Sequence, residues 1–155
     1  MTTETPVGEG LTRRETHLIF GGMMLSTFLA SLDSTAVSTA LPTIAGELGG
    51  IDQLPWVLTA FLLGSVAATP LYGKLSDLYG RRALTQAALA IFVVSSVFAA
   101  ASQTMGQLVV SRGIQGIGAG GLMAMGFIVI GDSFSPRERG RYMAYYTMNF
   151  TFSSI

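Results

Sequence analysis

Cysteine is absent from the 155 residues. That removes disulfides, iron–sulfur clusters and thiolate zinc sites. Histidine occurs once, as His17; alone it cannot build a histidine metal site, and its amphipathic ring suits a membrane interface. No metal and no cofactor is therefore expected. Charge is scarce as well: 12% of residues are charged, against about 25% in soluble domains. Nine basic and nine acidic residues cancel, so no basic patch invites nucleic acid. No G-x-x-x-x-G-K-[ST] phosphate loop occurs, so nothing points to nucleotide hydrolysis or to an enzyme. Apolar residues fill the space that charge leaves, with a mean hydropathy of +0.53.

The apolar residues come in runs. Gln53 to Gly73 and Ala83 to Ser111 carry no charge. About 20 apolar residues at 1.5 Å rise cross ~30 Å of hydrocarbon. The pattern predicts an all-α, polytopic membrane protein with spans at about 17–41, 54–73, 83–102 and 106–131 and an incomplete fifth from 142. Residues 1–16 read as a polar cytoplasmic tail. Pro42 is expected to end the first span, and Pro55 to sit in the first turn of the second, where its missing N–H is harmless. Two polar segments, Gly73–Arg82 and Asp132–Arg141, are expected to be loops at one membrane surface. Arg13, Arg14, Lys74, Arg81, Arg82, Arg137, Arg139 and Arg141 all fall in the tail or in those two segments. The positive-inside rule then places the N-terminus in the cytoplasm. A fifth helix of about 14 residues reaches ~21 Å, too short to cross, so the chain reads as the front of a longer protein.

The first polar segment reads Gly73-Lys74-Leu75-Ser76-Asp77-Leu78-Tyr79-Gly80-Arg81-Arg82. Gly73 allows close backbone approach. Gly80 suits a helix stop, and Asp77 sits among three cations. Charges and two turn glycines alone describe a plain positive-inside loop. The full pattern G-x-L-x-D-x-x-G-R-R, however, closely resembles the loop between helices 2 and 3 of the major facilitator superfamily. In that family the loop is a gating element whose acid contacts the other half of the transporter. The resemblance implies gating roles for Gly73, Asp77, Gly80, Arg81 and Arg82.

Two charges lie inside spans, Asp33 and Arg112. Each costs at least about 2.5–3.5 kcal/mol in hydrocarbon and so needs a partner or a wet cavity. Their depths match, ~12 Å and ~9 Å from the same side, so they either face one cavity or pair directly. Asp33 opens the run Leu32-Asp33-Ser34-Thr35-Ala36-Val37-Ser38-Thr39-Ala40-Leu41-Pro42. That run resembles the L-D-x-T-x-x-x-x-A-L-P signature of the drug:proton antiporters, chiefly the fourteen-span branch, with Ser38 where the family usually has asparagine. Arg112-Gly113-Ile114-Gln115-Gly116-Ile117-Gly118-Ala119 resembles the family's R-x-x-Q-G-x-G-A motif, whose arginine is implicated in proton coupling. The spacing Gly116-x-Gly118-x-x-Gly121 also fits a dinucleotide fingerprint, but it lies mid-span rather than after a strand. Gly116 and Gly120, four apart, suit close helix packing instead.

The resemblance implies the N-terminal part of a proton-coupled exporter of small amphipathic compounds, in the plasma membrane. Asp33, Arg112 and Gln115 would serve substrate and proton translocation, and Asp132 would be a charge partner of the gating loop. Its partners are the lipid bilayer, protons, a small-molecule substrate and the remaining C-terminal part. The alternatives are a facilitator of another small-molecule class and a truncated, membrane-inserted product with no transport activity.

Overall fold

The computed structural model describes residues 13–133 and 136–152. Five α-helices account for nearly all of them: α1 (Arg13–Leu48), α2 (Leu54–Tyr79), α3 (Arg81–Ala100), α4 (Met105–Ser133) and α5 (Pro136–Phe152). A short 3-10 turn, Ile51–Gln53, precedes α2. No strand occurs among the described residues.

Among the described residues, three helical segments are long and apolar enough to cross a membrane: Ile51–Tyr79, Arg81–Ala100 and Met105–Gly131. α1, at 36 residues, has ample length, but Ser26, Thr27, Ser31, Asp33, Ser34 and Thr35 dilute its apolar face. Several of those hydroxyls turn inward on their own helix; Ser26 donates to the carbonyl of Gly22 at 2.8 Å and Thr35 to that of Ser31 at 3.0 Å. Such back-bonding lets serine and threonine sit in apolar surroundings.

Helix ends differ from the expectation in three places. Pro42 lies inside α1, which runs on to Leu48. The helix stops instead at Gly49 and Gly50, with φ of 66° and 109°, which only glycine adopts cheaply. The polar segment Gly73–Arg82 is not a loop of ten residues. α2 continues through Tyr79 and α3 starts at Arg81, leaving Gly80 alone as the joint. Gly80 has φ 83° and ψ 148°, a region essentially confined to glycine. Its N–H still reaches the carbonyl of Ser76 at 3.1 Å, so it is a stop without being the left-handed cap. The second polar segment is mostly helical too: α4 ends at Ser133 and α5 begins at Pro136, not near Tyr142. Pro55 does occupy the first turn of α2.

α4 is the central helix, packed against α1, α2 and α3 and touched by α5. Its start carries a reciprocal cap: the backbone N–H of Gln107 donates to the Thr104 hydroxyl at 3.3 Å, while the Gln107 side-chain oxygen accepts from the N–H of Gln103 at 2.9 Å. This is a close variant of a capping box.

Two apolar clusters hold the two ends of the bundle. At one end Leu41 and Ala45 of α1 meet Val57 of α2 and Met105 and Leu108 of α4. At the other, Ala68 and Tyr72 of α2 and Leu84, Ala88 and Phe92 of α3 pack on Ala119, Leu122, Met125 and Val129 of α4. Between the clusters, glycines set the α2–α4 distance. A Cβ on Gly116 would collide with the backbone carbonyl of Phe61, and one on Gly120 with that of Ser65. The same contact lets the Ser65 hydroxyl donate to the Gly116 carbonyl at 3.0 Å. Gly73, by contrast, faces open space; within the described residues no backbone approaches it.

Candidate translocation site

The site lies where α1, α3 and α4 converge, roughly midway between the two clusters. α1 supplies Asp33, and α4 supplies Arg112 and Gln115, which are three residues apart and so share a face. Leu41, which packs beside Met105 and Leu108, sets the register. Counting from there, Asp33 and Arg112 come level, and the two charges pair directly.

The Arg112 Nη1 donates to Asp33 Oδ2 at 2.8 Å and to Gln115 Oε1 at 2.7 Å. Gln115 Nε2 donates in turn to the same Asp33 Oδ2 at 2.8 Å. The three side chains thus close a triangle in which each touches the other two. Arg112 and Gln115 are 0% exposed, whereas the Asp33 side chain keeps 21% of its surface. Solvent and solutes therefore meet this ion pair through the carboxylate, not through the arginine.

Two residues that the sequence did not single out complete the arrangement. Ser96 of α3 donates its hydroxyl to Asp33 Oδ1 at 3.2 Å. Phe61 of α2 lies under the guanidinium, 4.4 Å from ring centroid to Cζ, a cation–π distance. Among the described residues, Arg112 Nε and Nη2 have no hydrogen-bond partner. The ring of Phe61 is thus the main compensation on that side of the cation. A buried charge with two empty donors is unusual, and it leaves the arginine's hold on Asp33 resting on one nitrogen.

The chemistry available to the triangle is narrow. The Asp33 carboxylate can take up a proton or counter a cation, and Arg112 is a permanent positive charge poised against it. Among the described residues no group of histidine, cysteine, aspartate and glutamate could hold a metal ion.

The comparison with known proteins decides the family. The family model described as Major Facilitator Superfamily matches residues 23–155. The chain belongs to the major facilitator superfamily. This facilitator segment is 39% identical over 147 residues, 95% of its length, to the multidrug transporter protein MdtP of Bacillus subtilis (strain 168). It is 36% identical over 140 residues, 90% of its length, to multidrug resistance protein 3 of the same organism. Against the efflux pump FUS6 of Gibberella fujikuroi the figures are 43% over 125 residues and 81%. It spans 27% of the length of each of the two Bacillus proteins and 22% of FUS6. The apolar helices and the family together make it part of an integral membrane protein.

The other expected site residues of the facilitator segment fall elsewhere. Lys74, Asp77, Gly80, Arg81 and Arg82 are all exposed around the α2–α3 joint. Among the described residues Asp77 has no hydrogen-bond or ion-pair partner. Gly116 and Gly120 are buried against α2. The side chain of Asp132, expected to pair with the joint, lies outside the described residues.

Proposed function

We propose that this segment is part of a proton-coupled exporter of small amphipathic compounds, with Asp33 as its proton carrier. The observation that supports this reading is the triangle of Asp33, Arg112 and Gln115, with the carboxylate as its one partly exposed member. An intramembrane ion pair is costly and tends to mark a translocation path. The names of the Bacillus relatives, a multidrug transporter and a multidrug resistance protein, support drugs as the substrate class.

While Asp33 is ionised, its carboxylate joins α1 to α4 through Arg112 and Gln115. Protonation removes the countercharge, and Arg112 then keeps only Gln115 and the ring of Phe61. The α1–α4 contact weakens as the proton is taken up, so proton binding is tied to helix movement. Such coupling suits a transporter whose two halves rock about a midplane site. The joint of Gly73, Asp77, Gly80, Arg81 and Arg82, together with Asp132, would hold the cytoplasmic gate against the second half. The plasma membrane and a cytoplasmic N-terminus complete the reading.

The test is Asp33→Asn in the full-length transporter that carries this segment, reconstituted in liposomes under an imposed proton gradient. Gradient-driven efflux is expected to vanish while the protein stays folded and inserted. Efflux that kept its native rate and pH dependence would refute the assignment.

A further inference from the structure

The two oxygens of Asp33 have different surroundings. Oδ2 accepts from both Arg112 Nη1 and Gln115 Nε2, each at 2.8 Å. Among the described residues, Oδ1 accepts only from the Ser96 hydroxyl, at 3.2 Å. Asp33 and Ser96 also line a cavity of about 370 Å³ between α1 and α3, walled by Leu32, Ala36, Val93 and Val97. Apart from these two residues the walls are apolar.

We infer that the proton reaches Asp33 at Oδ1 through this α1–α3 cavity, and that Ser96 is the positioning residue that presents Oδ1 to it. The inference rests on Asp33 being the proton carrier. Oδ2 is a poor acceptor for an incoming proton, because two donors already occupy it, one of them cationic. Oδ1 has one neutral donor, on a side chain that keeps 21% of its surface and lines the cavity. The cavity has room for several water molecules at about 30 Å³ each, though its apolar walls leave a proton donor few places to bind besides the Asp33–Ser96 pair.

The step balances simply. A hydronium ion in the cavity gives up one proton, its O–H bond breaks, and a new O–H bond forms on Oδ1. The Ser96 hydroxyl keeps its own proton and changes from donor to acceptor, receiving the new carboxyl O–H. Its hydrogen turns to a carbonyl of its own helix, as the neighbouring Ser95 hydroxyl already does toward Ile91 at 2.6 Å. A serine can make that exchange by turning its hydroxyl about the Cβ–Oγ bond, with Oγ in place; alanine cannot.

Ser96 partners Oδ1 in both states, as donor to the carboxylate and as acceptor from the carboxyl. Among the described side chains Arg112 of α4 is the one charged group facing Asp33; α2 and α3 bring their charges only at the far joint. Loss of the Ser96 hydroxyl leaves that pair intact and removes one donor.

The experiment uses the full-length transporter, with N,N′-dicyclohexylcarbodiimide as the probe, since it reacts with protonated carboxyl groups in apolar surroundings. Labelling of Asp33 and the rate of efflux are both followed against pH. In Ser96→Ala the midpoint of both curves is expected to shift, because the hydroxyl that partners Oδ1 in both protonation states is gone. Ser96→Thr, which keeps the hydroxyl, is expected to restore it. Filling the cavity from either wall, by Ala36→Leu on α1 or Val93→Phe on α3, is expected to slow labelling at a given pH. Native midpoints in Ser96→Ala would overturn the role of Ser96. Native labelling rates in both filled variants would overturn the route. If Asp33→Asn retains pH-dependent efflux, it is the proton-carrier reading that fails, and the outcome is distinct from either of these.

Discussion

An arginine that is wholly buried, with one nitrogen shared between a carboxylate and an amide and two nitrogens without acceptors among the described residues, is stable only while its countercharge stays. Breaking a buried pair from one side costs about 3–5 kcal/mol, whereas removing both charges is often neutral. Asp33→Ala is therefore expected to destabilise the bundle by about that amount, measured by SDS titration of helical circular dichroism. The double variant Asp33→Asn, Arg112→Gln is expected to recover most of the loss yet stay inactive in efflux. If the double variant transports, the pair is only a brace between α1 and α4. Charged residues in spans are few, so Asp33, Arg112 and Gln115 were legible in the sequence, and equal depth made their pairing one of two open arrangements. Ser96 and Phe61 were not legible. A serine in an apolar helix commonly bonds its own backbone, and a phenylalanine in an apolar run has nothing to mark it. Only the packing of α2 and α3 on α4 places them against the triangle.

Helices here are organised by what their small residues allow. Gly116 and Gly120 bring the α2 backbone onto α4, and this approach puts Phe61 within reach of Arg112. Sequence spacing revealed that face, but not its partner. Helix ends were harder to read. Proline predicted a stop at Pro42, yet a membrane helix tolerates the missing hydrogen bond because nearby hydroxyls and packing compensate, and the Gly49–Gly50 pair ends it. Charge predicted loops at both polar segments, where the chain in fact extends its helices past the apolar stretch. Gly116→Ala or Gly120→Ala should force α2 and α4 apart and cost about 1–3 kcal/mol, the range for overpacking. Gly106→Ala and Gly131→Ala, where a Cβ meets nothing within 4 Å, serve as controls and should be neutral or slightly stabilising. Steric trapping or SDS titration in micelles reads the difference. Equal stability in all four variants would mean that Gly116 and Gly120 do not set the α2–α4 distance.

At the scale of the molecule the distribution of charge and exposed apolar surface argues for one orientation. Leu62, Leu63 and Val66 of α2 and Val97 and Phe98 of α3 are large, apolar and exposed, which suits lipid or neighbouring helices and excludes water along those faces. The eight cations outside the spans gather on the side of the α2–α3 joint, while the turn between α1 and α2 and the segment Ala101–Thr104 between α3 and α4 hold none. The cations of short loops set orientation because they resist translocation, so the α2–α3 joint is expected in the cytoplasm and the other two connections outside. The absence of cysteine makes the test clean, because every thiol in the chain is then an introduced one. Cysteines at Gln53 and Gln103, both exposed, should react with a membrane-impermeant maleimide on intact cells. Cysteines at Leu78 and Gly140, exposed on the other side, should react only after the membrane is opened. Asp33 and Ser96 lie between these layers, so the orientation also fixes which end of the α1–α3 cavity lies nearer the outside. Labelling at Leu78 on intact cells, with none at Gln53, would invert the topology and with it the direction in which Asp33 must release its proton.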